Sequence, residues 1–115
     1  MLTDVFVRID DAYLAPDAAW WAPGREPPIG PGALGTVPDL VVEVLSPATR
    51  ENDLGPKRDR YLGAGVREIW LIDPADRSVV TVTASSERRV DTEDRLESPL
   101  LPGFGMPVSE LFIAV

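Results

Sequence analysis

The run Leu40-Val41-Val42-Glu43-Val44-Leu45 constrains the fold more than any other stretch of this chain. It is apolar on both faces of a strand except at Glu43, the pattern of a central strand covered on both sides. Alternation sets Asp39, Val41, Glu43 and Leu45 on one face, and Ser46-Pro47 ends the run. An ionised carboxylate among such neighbours is costly to bury without a partner or a cation. Two readings of Glu43 follow: it sits near a sheet end and pairs with Arg or Lys, or it belongs to a functional site.

The rest of the chain supplies elements that pack around this strand. Val5 to Ile9 reads as a strand, Asp10-Asp11 as a turn, and Tyr13 to Trp21 as a second strand with Pro16 near its start. Residues 22–37, rich in Gly and Pro, form a long surface loop. A helix runs from Pro56 to Ala64, with Asp53 in its N-cap region, Pro56 in its first turn and Gly65 closing it. Glu68 to Ile72 is the next strand, so residues 39–73 make a strand–helix–strand unit with a right-handed parallel connection. Ser78 to Thr83 pairs back as a hairpin after the turn at 73–76. Residues 87–98 add one or two polar edge strands. A turn at 102–105 precedes a short helix from Val108 to Phe112. The expected architecture is an α/β (α+β) domain with a mixed sheet.

Composition narrows the chemistry. A chain of 115 residues is one domain, spanning 1–115, with one modest core. It has no cysteine and no histidine. That excludes disulfides, thiol nucleophiles, the serine-hydrolase triad and nearly every usual zinc site. Metal chemistry here needs oxygen ligands, which suit hard cations such as Mg²⁺ or Mn²⁺. The formal net charge of −8 favours solubility and opposes binding to phosphate backbones. No window has the roughly 20 apolar residues of a membrane span, and the first residues carry no secretory signal. A cytoplasmic location is expected.

Three further positions can join Glu43. The dipeptide Pro-Asp occurs at Pro16-Asp17 and Pro38-Asp39, and either Asp approaches Glu43 if its strand is a neighbour. Two nearby carboxylates repel unless a cation lies between them. Pro-Asp equally marks a turn or the start of a strand. Lys57 lies on the margin of the helix's apolar side, between Leu54 and Tyr61. From there its ammonium can point at the carboxylates, or its stem can lie along the surface with the charge in water. Tyr61 reads as core, and Arg58 and Arg60 as surface charges.

The segment from Pro38 through Glu43 to Pro47, then Asp53, Lys57 and Tyr61, then Gly65-Val66-Arg67-Glu68-Ile69-Trp70-Leu71-Ile72-Asp73-Pro74, closely resembles the Uma-two-type endonucleases. These belong to the restriction-endonuclease-like PD-(D/E)XK superfamily. Tyr13-Leu14-Ala15-Pro16-Asp17 and Leu101-Pro102-Gly103-Phe104 also look like family segments. The resemblance implies a mixed sheet flanked by helices with a divalent-metal site at its edge. Asp17 matches the Asp of the first half-motif and Glu43 the acidic residue of the second. The superfamily Lys two residues further on is replaced here by Leu45, and Lys57 takes its part from the following helix. Asp39 is a secondary candidate.

By this resemblance, Asp17 and Glu43, with the backbone carbonyl of Val44 and waters, hold Mg²⁺ (or Mn²⁺). Lys57 orients the nucleophile or stabilises developing phosphorane charge. The implied activity is hydrolysis of DNA phosphodiester bonds. The alternative is an inactive nuclease-fold domain that serves as a dimerisation or protein-interaction module, favoured by the acidic charge. A glycosidase reading is weaker, because the short chain offers no evident sugar cleft. Family members usually carry an N-terminal helical region before the first half-motif, which this sequence lacks. It reads as a shortened member, and the surface so exposed implies a homodimer.

Overall fold

The apolar run at 40–45 forms an inner strand of a six-stranded sheet. The computed structural model describes residues 2–3, 7–9, 12–28 and 34–112. In chain order the first strands are β1 (Leu2–Thr3), β2 (Val7–Ile9), β3 (Ala12–Leu14), β4 (Ala18–Trp20) and β5 (Leu40–Val44). Two helices, α1 (Arg50–Leu54) and α2 (Pro56–Gly63), lead to β6 (Glu68–Asp73), β7 (Ser78–Val82), β8 (Glu87–Val90), β9 (Arg95–Glu97) and β10 (Gly105–Pro107). A 3-10 helix, Val108–Phe112, follows β10. The turn read at Asp10-Asp11, and Val5 and Phe6 of the first strand, lie outside the described residues.

The main sheet runs β1-β4-β5-β6-β7-β8, while β2–β3 and β9–β10 form separate two-stranded ribbons. Only β5 and β6 pair in parallel, with Glu43 beside Leu71 and Val44 beside Ile72. The other pairings between these strands are antiparallel, and Val7 forms an isolated parallel bridge with Leu34. The sheet is therefore mixed, as expected. Each face has its own apolar layer. On one, Ala19, Val41, Ile69, Leu71 and Val82 meet Tyr61 and Val66, with Val7 and Ile9 from the β2–β3 ribbon. On the other, Ala18, Leu40, Val42, Trp70, Val79 and Val90 lie under Leu96 and Val108. Trp70 stacks on Phe104 with ring centroids 5.8 Å apart, a favourable offset aromatic geometry.

Three local expectations need correction. The stretch Tyr13 to Trp21 is not one strand. It breaks at Ala15-Pro16-Asp17, and its halves join different sheets, β3 with β2 and β4 with β5. Pro16 has no N–H for a ladder, so the chain changes sheets there, and Asp17 sits in the bend rather than in a strand. The crossover holds two helices instead of one. Pro56 cannot donate to the carbonyl of Asn52, and its ring would collide with that group, so the helix is interrupted at Gly55. Asp53 consequently belongs to α1 and makes no side-chain cap for α2. Gly65 closes α2 as expected, at φ 99°, a conformation that costs glycine little.

Candidate active site

The C-terminal end of β5 opens onto a cavity of about 360 Å³ lined by Asp17, Glu43, Val44, Ser46, Asp53 and Lys57, among others. Three separate segments supply these groups. The β4–β5 register ends at Ala18 opposite Val42, so the bend places Asp17 beside Glu43 and Val44. Its Oδ2 accepts a 2.6 Å hydrogen bond from the Val44 backbone N–H. Glu43 stands on the face of β5 that meets the helices and is 3% exposed. The break at Gly55 still leaves Asp53 and Lys57 four residues apart on adjoining turns, both facing the same space.

Polar contacts within the cavity converge on one oxygen. Glu43 Oε1 accepts a 2.9 Å hydrogen bond from the Tyr61 hydroxyl and lies 3.0 Å from Lys57 Nζ. Lys57 Nζ is also 3.3 Å from Asp53 Oδ1. Asp53 Oδ1 is buried and has no better-aligned hydrogen-bond partner than this ammonium. Native interiors seldom leave such an oxygen without a reason.

Burial holds the Glu43 carboxyl above its ordinary range, against the opposing pull of Lys57 and Tyr61. For Lys57, burial works to lower the pKa, but Glu43 and then Asp53 outweigh it and hold the ammonium above its usual value. Lys57 is therefore a cation at neutral pH. Burial, reinforced by Glu43, also pushes the Tyr61 phenol well above its usual value. Tyr61 thus acts as a neutral donor that fixes the carboxylate.

Of the residues singled out in the sequence, Asp17, Glu43, Val44 and Lys57 share this cavity. Asp39 does not. It stands at the opposite end of β5, 3% exposed, where Oδ2 accepts from Ala22 N–H at 2.8 Å and lies 2.6 Å from Arg25. Its work is to pin the loop after β4. Asp39→Ala is expected to cost about 1–3 kcal/mol, the usual cost of stranding a buried donor, in urea denaturation, with cation binding unchanged. Leu45, where the superfamily has its Lys, is buried in the core. Two groups escaped the sequence reading. Asp53 passed for a cap, although its four-residue spacing from Lys57 was visible. Tyr61 was assigned to the core, which it joins, but its hydroxyl reaches Glu43.

The donors fit a hard divalent cation in kind: the Asp17 and Glu43 carboxylates and the Val44 carbonyl are all oxygens, and they line one cavity. Among the described residues no three acidic side chains form a complete cation cage. Asp17, Glu43 and Val44 would hold the ion together with water, while Asp53 shares the Lys57 ammonium with Glu43.

A model of the Uma2 family, described as "Putative restriction endonuclease", matches residues 1–109. The chain belongs to the Uma2 family. Among solved structures it is similar to "a putative nuclease belonging to DUF820" from Anabaena variabilis ATCC 29413, with a TM-score of 0.81 and 20% identity. That similarity covers 96% of this chain and 66% of the other, so the present sequence spans only part of that protein's length. The fold of this Uma2 member is thus the mixed-sheet, restriction-endonuclease-like one. No curated protein matches the sequence. Among the described residues no helix is long and apolar enough to cross a membrane.

Proposed function

We propose that this chain is a Mg²⁺- or Mn²⁺-dependent endonuclease acting on DNA, with Asp17, Glu43 and Lys57 as its working side chains. Membership of a restriction-endonuclease family supports nuclease activity. The observation that carries the finer reading is the meeting of Asp17, Glu43 and Lys57, from three separate segments, in one cavity.

Asp17, Glu43 and the Val44 carbonyl would hold the cation. A divalent ion bound there supplies Lewis-acid charge to a phosphate oxygen and acidifies bound water. The remaining work belongs to the chain. Lys57 acts as a cation rather than as the base. It donates hydrogen bonds to the scissile phosphate, where negative charge builds as water oxygen bonds to phosphorus and gives its proton to solvent, while the P–O bond to the leaving oxygen breaks and that oxygen takes a proton from solvent. Tyr61 holds Glu43 in one orientation through its hydroxyl. The Val44 N–H does the same for Asp17.

Calorimetric titration with Mn²⁺, paired with cleavage assays on duplex, branched and single-stranded DNA, tests this. Wild-type protein should bind the ion and cut at least one DNA form, and Glu43→Ala should lose both properties. Equal Mn²⁺ binding by the two proteins removes the reading. The second reading, a silent interaction module, draws on the net charge of −8, which opposes contact with a polyanion. Protein that binds Mn²⁺ through Glu43 but leaves all three DNA forms intact favours it.

A further inference from the structure

We infer that Asp53 is a second seat for the Lys57 ammonium, taken up when a divalent cation displaces that ammonium from Glu43. This rests on the metal-site reading above. Glu43 Oε1 meets both Tyr61 O–H at 2.9 Å and Lys57 Nζ at 3.0 Å. A divalent ion on Glu43 would bring like charge against Nζ in a poorly solvated cavity, where repulsion is strong. The ammonium must then give way without leaving the site, because its charge is still needed beside the phosphate.

Asp53 Oδ1 provides the place. It is buried with no better-aligned partner and already lies 3.3 Å from Nζ, so a small swing of the side-chain tip turns a shared contact into a full hydrogen bond. The ammonium shared by two carboxylates in one state belongs to one of them in the other. Asp53 does not read as a direct ligand, since the described acidic side chains form no three-membered cation cage and its Oδ1 pairs with the Lys57 ammonium. Asp53 is thus a positioning residue. It lets one carboxylate serve the ammonium before the cation arrives and the cation afterwards.

A double-mutant cycle on Mn²⁺ affinity, read by calorimetry rather than by cleavage, tests this. The proteins are wild type, Asp53→Asn, Lys57→Gln and the double variant, with Lys57→Met as a second replacement and near-ultraviolet circular dichroism as the check of fold. Lys57→Gln should bind Mn²⁺ more tightly than wild type, because the competing charge is gone. Asp53→Asn should bind it about tenfold more weakly, within the range of coupling between neighbouring groups. In the Lys57→Gln or Lys57→Met background, Asp53→Asn should change affinity less than about twofold, since no ammonium remains to be seated. If Asp53→Asn costs the same with and without Lys57, the inference fails and Asp53 is a direct ligand. Weaker binding by both Lys57 variants also overturns it. Wild-type protein that binds no Mn²⁺ at all instead overturns the metal-site reading, and this inference with it.

Discussion

Glu43→Gln is expected to lower DNA cleavage by about 10²–10³-fold or more, the scale for removing one preorganised electrostatic group from an active site, while the fold survives. Gln keeps the volume, and its carbonyl oxygen can still accept from Tyr61. What disappears is the charge that holds the cation and balances Lys57. The difference in stability between the two proteins should depend on pH. Burial raises the Glu43 pKa above its ordinary 4.5, so the folded state favours the protonated acid. Such a group contributes stability that is fully present below its unfolded pKa and is lost as pH rises through the folded one. Thermal melts of the metal-free proteins between pH 4 and 8 should therefore show wild type losing ground to Glu43→Gln as pH increases. A pH-independent gap between them would contradict the burial argument.

Tyr61→Ala should have the largest effect on folding. The ring is fully buried between the sheet and α2. Truncating a large buried aromatic costs about 3–5 kcal/mol, a large share of the roughly 5–15 kcal/mol that holds a domain together. The variant should be substantially unfolded at 37 °C, or show a urea midpoint far below wild type. Tyr61→Phe separates packing from polarity: it keeps the ring and removes only the hydroxyl 2.9 Å from Glu43. A hydrogen bond to a charged group is worth about 1.5–3 kcal/mol, so a clear but smaller shift in midpoint is expected. Equal midpoints for Tyr61→Phe and wild type would show that Lys57 alone suffices to satisfy Glu43.

What could be read from the residues depended on how local the signal was. The central strand and its single acid were legible because five apolar neighbours around Glu43 admit few other arrangements. Pro56 and Gly65 bracket α2 through backbone chemistry that operates over a few residues. The split between β3 and β4 was hidden, since the apolar residues flanking Pro16 look like one continuous strand and the change of sheet is decided by pairing partners elsewhere. Helix α1 was hidden for the opposite reason: Arg50-Glu51-Asn52-Asp53-Leu54 has almost no apolar periodicity, and it forms where the chain turns back between β5 and β6. The same polar composition concealed the burial of Asp53. Pairing of β9 with β10 places Leu96 against Met106, a long-range match that no short window contains. Asp17 and Glu43 were recoverable as candidates through family likeness, whereas the placement of Asp39 needed the positions of Arg25 and Ala22.

The hydrogen bond from Val44 to Asp17 has a consequence for how this fold can vary. Where β4 stops, the next amide of β5 would face an empty lane, and the Asp17 carboxylate stands in for the absent neighbouring carbonyl. One side chain thereby closes the sheet's margin and lines the cavity. Replacing it opens a frayed rim as well as removing a charge, so even a lineage that had abandoned catalysis would have a mechanical reason to keep an acceptor there.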